Sequence, residues 1–261
     1  MAALRLIAVF IKVNFQIALA YRVDAAVNIL LNLMWLGWDL LSLRIIFSNT
    51  ETLGGWGPGE LVVLLGVFRL VNFWMASVIW PATEKFNASV RDGTLDYTLL
   101  QPANSLFLVT FSRIVLWRTW DLVLALILIG IGMRMTSAAL TLPRLAAFLL
   151  LATSGALVIF SLWVILIALT FWFVKFDNNV TILQALLDAG RYPVTVYPFW
   201  LRLIVTYLVP IAIATTIPVQ GLRGELPGLQ VLGVIAFSLA FFYLAARIWR
   251  SGVRRYSGAS S

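Results

Sequence analysis

Long apolar runs separated by short polar breaks dominate this chain, and their lengths predict helices that cross a bilayer. About 20 apolar residues span the hydrocarbon layer, and runs of that kind are predicted at 25–47, 60–80, 114–134, 144–174 and 228–248. Ahead of the first run, Arg5, Lys12 and Gln16 share one helical face, as residues about whole turns apart do. Residues 1–23 are therefore predicted as an amphipathic helix lying in the interface. An uncleaved signal is the lesser alternative, because Lys12, Asn14 and Gln16 interrupt the apolar stretch before Ala18-Leu19-Ala20.

The region 178–222 admits two readings. In one, 175–198 is a cytoplasmic connector and 199–219, broken by Pro210 and Pro218, is a kinked span. Lys175, Arg191 and Arg202 favour that reading by charge. In the other, 178–191 is a short span and "YPVTVYPFWLRLIVTYLVP" turns back from the outer face as a re-entrant hairpin. Backbone of that kind is tolerated only where protein or a water-filled cavity covers it. Tyr192-Pro193 and Tyr197-Pro198, each an interfacial aromatic followed by a helix starter, with Trp200 beyond, favour the hairpin. Both readings give six membrane passages.

Composition agrees. The 261 residues are 62% hydrophobic and 11% charged, with a mean hydropathy of +0.96. A soluble domain carries roughly 45–50% apolar and about 25% charged residues. The expected fold is an all-α integral membrane protein forming one transmembrane domain over 1–261. The net charge of +8 points to orientation in a membrane rather than to nucleic acid. Arg5, Lys12 and Arg22 precede the first run, Lys85 and Arg91 follow the second, and Arg247, Arg250, Arg254 and Arg255 follow the last. The 48–59 loop has no Lys or Arg, and its Trp56 suits an outer interface. Both termini and the 81–106 segment are thus expected on the cytoplasmic side of the plasma membrane.

Several function classes drop out. The chain has no cysteine and no histidine, which removes disulfides, histidine bases and nearly every transition-metal site. None of its three lysines, Lys12, Lys85 and Lys175, follows a glycine, so the phosphate-cradling loop of nucleotide-hydrolysing motors is missing. The two halves show no repeat, which speaks against an inverted-repeat secondary transporter.

One polar island stands out: "PATEKFNASVRDGTLDYTLLQP" at 81–102. Thr83 is predicted to cap a short helix reaching Arg91, Asp92-Gly93 to break it, and Thr94 to cap a second turn. The bland reading is a connecting turn; the functional one is a docking knob for a soluble partner. Within the apolar runs, Asp39, Arg44, Arg69, Arg118 and Asp121 are ionisable, and such residues are costly in lipid. Arg118 and Asp121 are spaced to pair on one face, and Asp39 and Arg69 to pair between neighbouring spans. Asn28, Asn32, Arg69, Asn72 and Trp74 are the candidate path-lining residues, and helix packing is their bland alternative. On a central seam, Arg69 would attract an anionic headgroup or acidic cargo.

"VRDGTLDYTLLQPANSLF" resembles the R-x-G-x-L-D-x-x-L-L-x-P element of permease subunits of type-2 ABC exporters, in the small six-span branch of ABC-2 family transporter proteins. "YPVTVYPFWLR" resembles that branch's Y-P-x-x-x-Y-P-x-W-L-R pattern. Gln101 departs from the branch, where arginine is commoner. The resemblance implies a membrane half-transporter that pairs with a second permease, identical or paralogous, and with separate ATPase subunits. ATP and Mg would sit on those partners, with no cofactor on this chain. Glu84, Lys85, Phe86, Val90 and Arg91 would form the coupling helix seated on the ATPase, and Asp92, Gly93, Thr94, Leu95, Asp96 and Tyr97 would complete the docking element. A membrane scaffold that docks a soluble partner without transport is the alternative.

Overall fold

A computed structural model describes residues 22–115, 118–136, 141–173 and 179–256. The expected interfacial helix over 1–23 lies outside them except for its last two residues, and Lys12 and Lys175 lie outside them altogether. Among the described residues the fold is all-helical. Among these residues four helices are long and apolar enough to cross a membrane, or five if one bent pair counts as a single span.

Helix α1 is Arg22–Asn49 and α2 is Pro58–Arg91, 34 residues long. Between them a two-residue turn at Gly54 and Gly55, with φ of 59° and 85°, pairs Leu53 with Trp56 through two backbone hydrogen bonds of 2.9 and 3.1 Å. Left-handed backbone at both positions is what such a tight turn requires. The turn folds Trp56 back onto the bundle, where it is buried beneath the Arg223 guanidinium, 5.0 Å from its ring centre. Trp56 is therefore a core residue and not an exposed interface anchor.

The predicted break at Pro81 does not occur. Proline removes the N–H that Ser77 O would accept, and the helix answers by widening into a π turn over Met75–Ile79. Ser77 O instead accepts from Val115 N–H at 2.8 Å. Thr83 caps nothing: its hydroxyl donates to Ile79 O and accepts from Trp163 Nε1–H, both at 2.6 Å. The helix ends where expected. Gly93, at φ 67°, places Thr94 N–H on Ser89 O at 2.9 Å, a left-handed glycine termination. Thr94 precedes the next helix, α3 (Leu95–Leu99), without a side-chain cap bond.

Helix α4 is Ser105–Thr110 and α5 is Thr119–Met135. The latter begins five residues later than the run predicted at 114–134, because Val115 is tied to the π turn. Antiparallel α2 and α5 meet with almost no side chain between them: a Cβ on Gly132 would sit 2.6 Å from Val63 N and 2.7 Å from Gly59 O. Small residues are how helices approach closely where lipid supplies no hydrophobic drive.

Helix α6, Leu142–Ala168, runs parallel to the last helix, α10, Gly228–Arg255. Phe160 meets Phe242 near their middles, and Phe171 meets Trp249 beyond. Phe86 of α2 joins that aromatic cluster, 5.8 Å from both Phe171 and Trp249. Between α6 and α10 lie α7 (Asn179–Asp188), α8 (Phe199–Leu208) and α9 (Thr216–Arg223), α8 and the Ile211–Arg223 stretch containing α9 being bent 74° apart. Both ends of this bent segment return to the Trp56 end of the bundle. Thr195 Oγ1 donates to Gly54 O at 2.8 Å, and Arg223 Nε lies 3.0 Å from Glu60 Oε1. Its tip descends to Gly155, where an added Cβ would lie 2.5 Å from Ala214 Cα. Gly155 is about 20 Å below the start of α6 at 1.5 Å per residue.

Candidate functional site

Two places concentrate polar chemistry. The first lies at mid-bundle, on the faces that α1, α2, α5 and α7 turn toward one another. Asp39 of α1 accepts from Arg69 of α2 at 2.8 Å, and the side chains are 9% and 12% exposed. The other carboxylate oxygen faces Arg191 Nη1 at 3.3 Å. Arg191 follows α7 and also stacks over the Phe68 ring, 5.5 Å from its centre. One aspartate thus ties three separate elements, and each carboxylate oxygen has its own guanidinium. Burying charge is tolerated when the lone pairs are met in this way.

These residues line a cavity of about 330 Å3 whose walls also carry Arg118, Asp121 and Asp188. Arg118 and Asp121 pair at 3.6 Å, and Asp188 accepts from Gln184 Nε2 at 3.1 Å. Among the described residues the charged lining is therefore three arginines and three aspartates, with no net charge. Asn32 and Asn72 complete one wall, their amide nitrogens donating to Asn28 O and Phe68 O one turn back. Trp35 stands at the rim, 61% exposed.

Both expected ion pairs form, Asp39 with Arg69 and Arg118 with Asp121. Of the candidate path residues, Asn32, Arg69 and Asn72 share the cavity. Asn28 lies a turn away, and Trp74 faces a separate apolar groove of about 470 Å3 with Phe107 and Phe160. Arg44 is on the exposed face of α1. Arg191, Gln184 and Asp188 were missed by sequence reasoning. Arg191 read as a connector charge, and only the fold brings it within reach of a residue 152 positions away. Arg202, grouped with it by charge, instead donates to the carbonyls of Thr195 and Tyr197 at 2.9 and 3.3 Å.

The second place is the polar island, which forms the Arg91 end of the bundle. Of its residues, Phe86 and Leu95 are buried, Val90 is half-buried, and Glu84, Lys85, Arg91 and Asp92 are exposed. Gly93 supplies the turn, while Thr94 is exposed and Asp96 half-buried. Tyr97 and Leu100 project furthest, 74% and 82% exposed. Lys85 Nζ donates to Ser112 O at 3.0 Å, and Trp249 Nε1–H to Ser105 Oγ at 3.1 Å. The buried residues anchor the element to the bundle, and the exposed ones form its outer face. Of the outer-hairpin residues, Pro193 is buried, Tyr192 is half-buried, and Tyr197 bonds Ala189 O at 2.8 Å. Pro198 and Trp200 are exposed.

The model of the ABC-2 family transporter protein matches residues 33–260, which takes in both polar sites except Asn32 and nearly the whole bundle. The chain belongs to the ABC-2 transporter family. Neither a curated protein nor a solved structure matched it. Membership makes this ABC-2 protein a multi-pass membrane protein of permease type, and proteins of the family generally work with ABC ATPases. For an ABC-2 protein, the charged cavity and the exposed end are the two surfaces on which its function has to be read.

Proposed function

We propose that this chain is the membrane-spanning subunit of an ATP-driven ABC exporter, coupled to a separate ATPase and paired with a second permease subunit. The observation that carries the reading is the Arg91 end of the bundle. A 34-residue helix passes the edge of the mid-bundle cavity and ends in a short exposed element locked to the core by Phe86 and Leu95. Force applied at Tyr97 and Leu100 would thus reach Arg69 through the Gly93 turn and then along α2. ATP and Mg belong to the partner ATPase, and membrane lipid surrounds the bundle. In this reading six passages cross the bilayer: α1, α2, α5, α6, the 179–197 segment and α10. The 199–223 segment is a re-entrant hairpin, supported by the return of both its ends to the Gly54–Glu60 region. The Arg91 end faces the cytoplasm, as its basic residues favour.

The test is affinity capture of the carboxy-terminally tagged chain in mild detergent, with co-purifying proteins identified by mass spectrometry. A P-loop ATPase should accompany the wild type and be lost from a Tyr97→Asp, Leu100→Asp variant that still elutes as a folded protein. If no ATPase is captured under conditions that preserve other membrane complexes, the coupling reading fails and a non-transporting scaffold takes its place.

A further inference from the structure

The sequence raised Arg69 as an attractor of anions, but the geometry removes that role. Arg69 is committed to Asp39, and Arg191 to the same carboxylate. Arg118 faces Asp121. An anion entering the cavity would have to displace Asp39 or Asp121 from a guanidinium and leave that carboxylate short of its partner in a poorly solvated place. A cation would have to draw an aspartate from its arginine at the same cost. The formal charge of the described lining is zero, so the lining itself favours neither sign on entry.

Hydrogen-bonding capacity is what the walls retain. Arg191 Nε and Trp80 Nε1 are donors and Gln184 Oε1 is an acceptor. Among the described residues all three are buried without a hydrogen-bond partner, and all belong to residues lining this one cavity. Buried polar atoms are nearly always paired, and three of the seven unpartnered ones among the described residues belong to this cavity, whose walls are therefore incompletely bonded. A side-chain rotation would be needed to bring each to the cavity surface. Trp80 and Trp35 add aromatic faces, and Trp35 at the rim leaves the cavity open toward the surface of α1. The volume of about 330 Å3 is at the lower end of ligand pockets, roughly 300–1,000 Å3.

We infer that this cavity binds an uncharged, hydroxyl-rich group of about the size of one sugar ring, and that it discriminates against charged groups of either sign. Hydroxyls both donate and accept, so one such group meets the two spare donors and the spare acceptor without breaking an ion pair. The inference deepens the exporter reading by naming a class of cargo for its path, but its test needs neither ATP nor the ATPase.

The experiment is equilibrium binding to the purified full chain in nanodiscs, with empty nanodiscs subtracted. Three radiolabelled probes share an octyl tail and are used below their micelle thresholds: octyl glucoside, octyl phosphate and octylammonium. Octyl glucoside should bind saturably and at least about tenfold more tightly than either charged probe. Gln184→Leu should remove that preference. Asp188→Asn, an isosteric change at an exposed residue, gives the lining a charge of +1 and should move octyl phosphate up by about tenfold relative to octyl glucoside. Competition by free glucose would point to a soluble sugar, and its failure to compete would point to a tailed glycolipid; the binding class stands in both cases. Equal or tighter binding of octyl phosphate by the wild type would overturn the inference. So would the absence of any headgroup preference, which would leave a cavity filled with water only. Failure to capture an ATPase would leave these binding results unchanged, so the two readings fail separately.

Discussion

The mid-bundle cavity and the Arg91 end hold similar residues in opposite circumstances. At the centre, Asp39 and Arg69 are close, about nine-tenths buried and tied to a third element through Arg191. At the end, Glu84 and Arg113 also form an ion pair, but at 3.6 Å with side chains 70% and 60% exposed. The same chemistry does different work. Buried, a charge is held by its partners and its loss disturbs the whole packing; exposed, it is screened by water and salt and is available to another protein. On the proposed reading, charge inside this bundle would organise and select, whereas charge at its end would recognise a partner.

The sharpest way to break that contrast is Asp39→Ala. Removing the shared carboxylate strands two guanidinium groups, and breaking a buried pair from one side costs about 3–5 kcal/mol. The variant should lose a large part of its thermal stability in detergent, read as the aggregation midpoint by size-exclusion chromatography. A midpoint unchanged from wild type would show the cluster to be solvated. Next in size is Gly132→Val, which forces a branched side chain against the backbone of Val63 and Gly59. Overpacking of this kind costs about 1–3 kcal/mol, so the midpoint should fall while octyl glucoside preference persists in the folded fraction. The smallest effect is expected for Glu84→Ala. An exposed pair contributes about 0–1 kcal/mol, so stability should stay at the wild-type value while ATPase capture weakens. A large drop in stability for Glu84→Ala would erase the distinction between the two regions.

Local chemistry in the sequence foretold some parts of both sites and misread others. The ending of α2 at Asp92-Gly93 was legible because a positive φ calls for glycine wherever it occurs. The Asp39–Arg69 pair was legible because two opposite charges in neighbouring apolar runs have few other ways to be satisfied. Thr83 was misread as the cap of a new helix beyond Pro81, where the long helix in fact continues. The missing N–H of Pro81 is compensated by a π turn and by Val115, a residue far along the chain. Trp56 was misread as an interface anchor because a tryptophan in a loop between spans carries no mark of whether the loop folds back. Phe86 and Leu95 looked like part of a docking face, yet their side chains serve the core.

By itself the sequence determined the class of protein. Its apolar run lengths demand helices whose backbone groups are satisfied internally, and its motifs placed the chain in the ABC-2 family. Only the tertiary structure decided what those helices enclose. Arg191 and Asp39 stand 152 residues apart, and no periodicity relates them. Their meeting depends on α7 rising beside α6 so that the 189–191 turn reaches α2, while the bent pair beyond it returns to the Trp56 end. Helix formation is written in neighbouring residues, because the hydrogen bonds that make it reach only four residues along the chain. The neutrality of a cavity is a sum over charges brought together by packing, and that sum exists only once the bundle has closed.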